Sequence, residues 1–186
     1  MYKSNDNKNL RDIILGMQDG LVNVLGIVLG VGAATNDQRL ILISALAATF
    51  AESISMAAVA YTSTEASLKE YLSELVHPEG ANTNHSQEEV AEVKSIIGTP
   101  VKSAVIVGFS SLVGSLIPVV PFAFAVPMET SMYLSVLFAA LVLFVVGYFT
   151  SKRTSGSPLK SGVKLTLIGI VSALLGYLIG TILGKI

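Results

Sequence analysis

The sequence predicts an all-α membrane protein with five transmembrane helices, and three observations point there. Composition is the first: 52% of the residues are hydrophobic, 13% are charged and mean hydropathy is +0.67. An average soluble domain carries about 25% charged residues. The second is length: five apolar stretches, near 12–35, 39–62, 101–125, 129–150 and 161–184, approach or exceed the ~20 helical residues that cross a ~30 Å hydrocarbon core. The third is the placement of basic residues. With a cytoplasmic N-terminus, the inner segments hold Lys3, Lys8, Arg11, Lys69, Lys94, Lys102, Lys152, Arg153, Lys160 and Lys164, and only Arg39 and Lys185 fall outside. That bias places the N-terminus in the cytoplasm and the C-terminus outside, which requires an odd number of spans.

Each element can be justified in order. The polar opening "MYKSNDNKNLRD" is not followed by a short apolar core with a small-residue cleavage site, so no removable signal peptide is expected. Long apolar runs without strand-like alternation mean helices, because backbone groups in lipid must be satisfied within the segment. The short turns "TNDQR" and "VPMETS" make antiparallel hairpins of spans 1–2 and 3–4. The chain therefore divides into residues 1–62 (spans 1 and 2), 63–99 (a cytoplasmic acidic segment) and 100–186 (spans 3 to 5). In the middle segment, "YTSTEASLKEYLSELV" contains no helix breaker and continues span 2 out of the membrane. After the turn "HPEGANTNH", Ser86 and Glu89 form a capping-box signature opening a helix over 87–97, so the segment is a short helical hairpin. Pro118 and Pro121 should bend span 3, since neither can donate a backbone hydrogen bond.

The chemistry sits in spans 1 and 2. Asp19 and Glu52 are the only acidic residues well inside the apolar stretches, and a carboxylate there marks a functional site by default. At a rise of ~1.5 Å per residue, Asp19 and Met56 lie at one depth, with Asn23 and Glu52 one turn deeper. Two tiers thus face each other across the first hairpin, Asp19 with Met56 and Asn23 with Glu52. Carboxylate oxygens with a thioether suit a borderline-soft divalent transition metal better than Mg²⁺ or Ca²⁺. With no cysteine in the chain, Cys-type zinc sites, haem attachment and disulfides are excluded. A net charge of −1 gives no general attraction to nucleic acid, and no hydrolase or nucleotide motif is present, so an enzyme is not expected.

The motifs "DGLVNVLGIVLG", "ESISMAAVAY", "GSLIPVVPF" and "SPLKSGVKLTLIGIVSALLGYLIG" together resemble the vacuolar iron transporter family, in order and over nearly the whole chain. The resemblance implies a homodimer that exports Fe²⁺ or Mn²⁺ from the cytosol, generally in exchange for protons, with no resident cofactor. It also implies that Asp19 and Met56 line the metal path. Many prokaryotic members are acidic where this chain has Glu52, which suggests a prokaryotic plasma membrane. Two departures concern carboxylates: some members have glutamate where this chain has Ala60, and plant-type members where it has Ala48. The cytoplasmic segment is shorter than in many members, yet holds Glu65, Glu70, Glu74, Glu79, Glu88, Glu89 and Glu92. These are a solvated acidic surface or a weak metal-collecting funnel, and His77 and His85 flank a turn beside them. The alternative to a transporter is a membrane scaffold or metal-sensing module acting through these acidic helices. Glycines four apart (Gly16 and Gly20, Gly26 and Gly30, and Gly176, Gly180 and Gly184) should let helices approach closely.

Overall fold

The computed structural model describes residues 2–35, 37–76, 99–124, 126–153 and 157–185. Among these residues there are five α-helices and no strand: α1 (Tyr2–Thr35), α2 (Gln38–Val76), α3 (Pro100–Leu116), α4 (Met128–Arg153) and α5 (Pro158–Leu183). Four of them, all but α3, are long and apolar enough to cross a bilayer. Of the hairpin expected over 63–99, the first arm is the end of α2, and the turn and second helix, with His77, Glu79, His85, Ser86, Glu88, Glu89 and Glu92, lie outside the described residues.

Local chemistry sets the ends. α1 begins ten residues before its predicted span because nothing ahead of Gly16 breaks a helix. Asp37 caps α2: its carboxylate accepts from the backbone N–H of Arg39 at 2.9 Å and of Leu40 at 3.3 Å, donors that a helix start leaves unpaired. α2 then runs unbroken to Val76, as its lack of breakers predicts. Thr99 and Ser157 are extended, each before a proline that opens the next helix, where its missing N–H costs nothing.

The third span departs from expectation. Instead of one bent helix over 101–125, α3 stops at Leu116 after 17 residues, and a 3₁₀ turn follows at Val120–Ala123. Pro118 cannot bond back to Gly114, and the Ile117 N–H takes that carbonyl at 3.2 Å in a tighter turn. The carbonyls left over find side chains on neighbouring helices. Ser135 donates to Pro118 O at 2.8 Å and Ser131 to Pro121 O at 3.2 Å. The Gln38 amide donates to both Phe122 O and Phe124 O, at 2.5 and 2.9 Å. An irregular backbone at this depth is tolerable because its polar groups are buried against protein and paired.

Packing is that of a membrane protein. Small hydroxyl residues such as Thr49, Ser53, Ser103, Ser131 and Ser135 are buried, while Phe50, Ile54, Phe109, Leu137, Leu167 and Ile179 face outward. α1 is the hub and touches each of the other helices. Its Leu21, Val24, Leu25 and Val28 fill the core against Ile41, Ala45, Phe122 and Leu143. The glycine pairs set its closest crossings. A methyl group at Gly16 would strike Val107 O of α3, one at Gly176 would strike Gly26 O, and one at Gly180 would strike Gly30 O. The glycine faces of α1 are thus occupied by α3 and α5 within one protomer.

A candidate cation site on the outer face of α1 and α2

With two faces of α1 committed to α3 and α5, the stripe carrying Asp19 and Asn23 remains, and it turns outward beside α2. Asn23 is exposed and Asp19, Glu52 and Met56 are half-buried, all within helices long enough to span a membrane. The Asn23 amide donates to Glu52 Oε1 at 2.7 Å, which joins the two residues placed in one tier from sequence. Asp19 also lies within electrostatic reach of Glu52. The structure thus relates Asp19 to Glu52, the residue expected one turn deeper. Met56 follows Glu52 by one turn on the same face of α2 and is half-buried.

One protomer supplies two carboxyls, an amide and a thioether. Among the described residues no group of three or more His, Cys, Asp or Glu side chains is placed to hold a metal. The set lies on an outward-turned face, with Asn23 exposed and Asp19, Glu52 and Met56 half-buried.

The described residues contain only part of the acidic segment. Glu65 is paired with Lys69 at 2.7 Å, and Glu70 is exposed. Glu74 belongs to α2, while Glu88, Glu89 and Glu92 lie outside the described residues.

Sequence reasoning missed a second polar group nearer the N-terminus of α1. Asp12, which reads as a helix-end residue, is buried, and with Lys8 and Arg11 it lines a cavity of about 520 Å³ closed by α2 and α3. The signal available was periodic: Lys8, Asp12, Asp19 and Asn23 recur at helical spacing, once α1 is known to start before residue 8.

Comparison with known proteins agrees with this architecture. A family model described as the VIT family matches residues 10–99 and 97–181. An uncharacterized protein of Methanocaldococcus jannaschii is 28% identical over 178 residues, spanning 94% of this chain and 90% of its own length. Vacuolar iron transporter 1 of Tulipa gesneriana is 24% identical over 208 residues, covering 90% of this chain and 84% of its own. Protein CCC1 of Saccharomyces cerevisiae is 24% identical over 220 residues, covering 92% and 68%. The resemblance first carried by the Asp-Gly, Ser-Met and paired-proline motifs extends through all five helices, and the chain belongs to the VIT family.

Proposed function

We propose that this chain is a divalent transition-metal transporter that exports Fe²⁺ or Mn²⁺ from the cytosol in exchange for protons. It works as a homodimer whose metal path runs between the Asp19–Glu52 faces of two protomers. One observation carries the reading: two carboxyls within electrostatic reach of each other, with an amide bonded to one of them, lie on an outward-turned face of helices long enough to span a membrane. Carboxyls do not face lipid, so a second copy covers them and a cation compensates them. A two-fold axis beside α1 supplies a second Asp19, Glu52 and Met56, turning a half-site into a full one. The name of the tulip relative, vacuolar iron transporter 1, supports iron as the cargo. The protein crosses the membrane five times with its N-terminus in the cytosol, the 3₁₀ turn after α3 completing the third crossing. Glu52, the deeper carboxyl, carries the exchanged proton, and an arriving cation displaces it.

The reason to place α1 at the axis is its outward polar stripe, because its glycines are already used against α3 and α5. The test combines flux with proximity. Purified protein in proteoliposomes should move Fe²⁺ with a counter-flow of protons, read by a pH-sensitive dye. Cysteines at positions 19 or 23 of this cysteine-free chain should cross-link between protomers under mild oxidation. Absence of metal flux overturns the transporter; efficient links from α4 or α5 with none from α1 overturn the shared path.

Met56 gives a finer check. Met56→Leu keeps volume and removes sulfur, so Fe²⁺ or Co²⁺ flux should fall by about tenfold, a loss of ~1.4 kcal/mol. Mn²⁺, which depends less on soft ligands, should change little. Equal changes for all three metals would make Met56 a packing residue.

A further inference from the structure

We propose that the cavity between the N-terminal end of α1, the outer part of α2 and the first turns of α3 binds a phosphate-class oxyanion. This site is independent of the metal path. The cavity, about 520 Å³, presents Lys8 and Arg11 from α1. Ser63, Thr64 and Ser67 of α2 and the buried Ser103 of α3 add hydroxyls from the opposite walls. Leu15, Ala60 and Val107 line its apolar part.

Among the described residues neither cation has an ion-paired carboxylate, although Asp12 attracts Lys8 electrostatically. The Lys8 ammonium is shielded from solvent yet makes no hydrogen bond. Among the described residues the single ion pair is Lys69 with Glu65, so neither Lys8 nor Arg11 is paired with a carboxylate. Asp12 is the one acidic group that lines the cavity, and Lys102 adds a third cation within electrostatic range of Lys8. A buried ammonium without a partner is costly, so the resting structure leaves an anion's place to be filled. The sign of the charge rules out a metal cation as the occupant.

The donor set selects among anions. An ammonium, a guanidinium fork and several hydroxyls converging from three helices suit a tetrahedral oxyanion with several acceptor oxygens. The N-terminal turn of α3, which brings in Ser103, adds the positive end of a helix dipole. Two sources offer this chemistry at the edge of a membrane: a phospholipid headgroup and free phosphate. The apolar lining beside the cations suits the glycerol end of a lipid, and the hydroxyls suit either source.

The experiment uses the full chain in detergent and in nanodiscs. Inorganic phosphate is titrated against the detergent-solubilised protein by calorimetry. Retention of phosphatidylglycerol is counted by native mass spectrometry after transfer from nanodiscs of phosphatidylcholine with added phosphatidylglycerol. We expect at least one probe to bind, phosphate binding marking a free-anion site and lipid retention alone a headgroup site. Lys8→Gln with Arg11→Gln should weaken that binding at least tenfold. The control Lys160→Gln with Lys164→Gln, which removes two surface cations of α5, should leave it unchanged. Should the Lys8 and Arg11 variant fail to fold, Ser67→Glu, at an exposed position that adds a negative charge to the cavity, should give the same loss. Binding of neither probe, or equal losses in the α1 and α5 variants, overturns the proposal.

Discussion

Asp19→Asn should abolish proton-coupled Fe²⁺ flux in proteoliposomes while leaving expression, helicity and dimerisation intact. The amide has nearly the shape of the carboxyl, and the substituted position is only half-buried, so no cavity or overlap is introduced. What changes is charge. The Asn23 amide already occupies one oxygen of Glu52, which leaves Asp19 as the carboxyl of the pair free to meet a cation. Losing an anionic ligand from a desolvated site costs on the order of 3 kcal/mol, or roughly 100-fold in occupancy. In the proposed dimeric path, the substitution removes two such ligands at once. Glu52→Gln should behave differently: metal still moves, but its flux no longer follows the pH gradient. Wild-type flux in the Asp19 variant would remove Asp19 from the path, and full coupling in the Glu52 variant would move the proton to another carboxyl.

The second large effect is on stability. A methyl group at Gly180 would overlap Gly30 O, a backbone atom that cannot rotate away, so Gly180→Ala must push α5 off α1. Gly32 is the control: its added methyl would meet side-chain ends, Ile41 Cδ1 at 3.3 Å and the Met132 sulfur at 3.4 Å, which can shift. Overpacking of a rigid contact costs about 3 kcal/mol at the upper end of its usual range, a fall in Tm of roughly 6–12 °C for a chain of this size. Gly32→Ala should move Tm by less than a third of that. Similar melting temperatures for the two variants, followed by size-exclusion fluorescence in detergent, would mean that the α1–α5 crossing is looser than described.

The Asn23–Glu52 pairing is legible in the sequence, because axial depth in antiparallel helices follows from residue count and the short turn between them. Azimuth is less accessible. Equal depth alone would set Asp19 opposite Met56, yet Asp19 lies within electrostatic reach of Glu52. The rotation of α1 about its axis is fixed by contacts far along the chain, Gly16 and Gly20 on α3 and Gly26 and Gly30 on α5, which no local window contains. The paired prolines announce an irregularity in the third span. Whether a proline bends a helix or ends it depends on which donors reach the stranded carbonyls. Here those donors are Gln38, Ser131 and Ser135, from two other helices, and they make an outright stop tolerable. The Lys8–Arg11–Asp12 cluster is hidden by the opposite error. Polar residues before an apolar run look like a solvated tail, whereas a helix extended through them buries Asp12 against α2 and α3.

The α1–α5 crossing also bears on how the chain is made. Gly30 and Gly180 meet across 150 residues of sequence, although α1 is the first of the described helices to leave the ribosome and α5 the last. Throughout synthesis of the helices between them, the shallow groove at Gly26 and Gly30 lies open, its backbone carbonyls next to lipid chains or the insertion machinery. No intermediate in which α2, α3 and α4 have arrived can close it, because the shape of the groove admits only a helix whose own surface is equally flat. Insertion of α5 is thus the step that converts a set of spanning helices into a finished protomer. Translation arrested before residue 176 would leave a membrane-inserted chain whose first helix is still waiting for its partner.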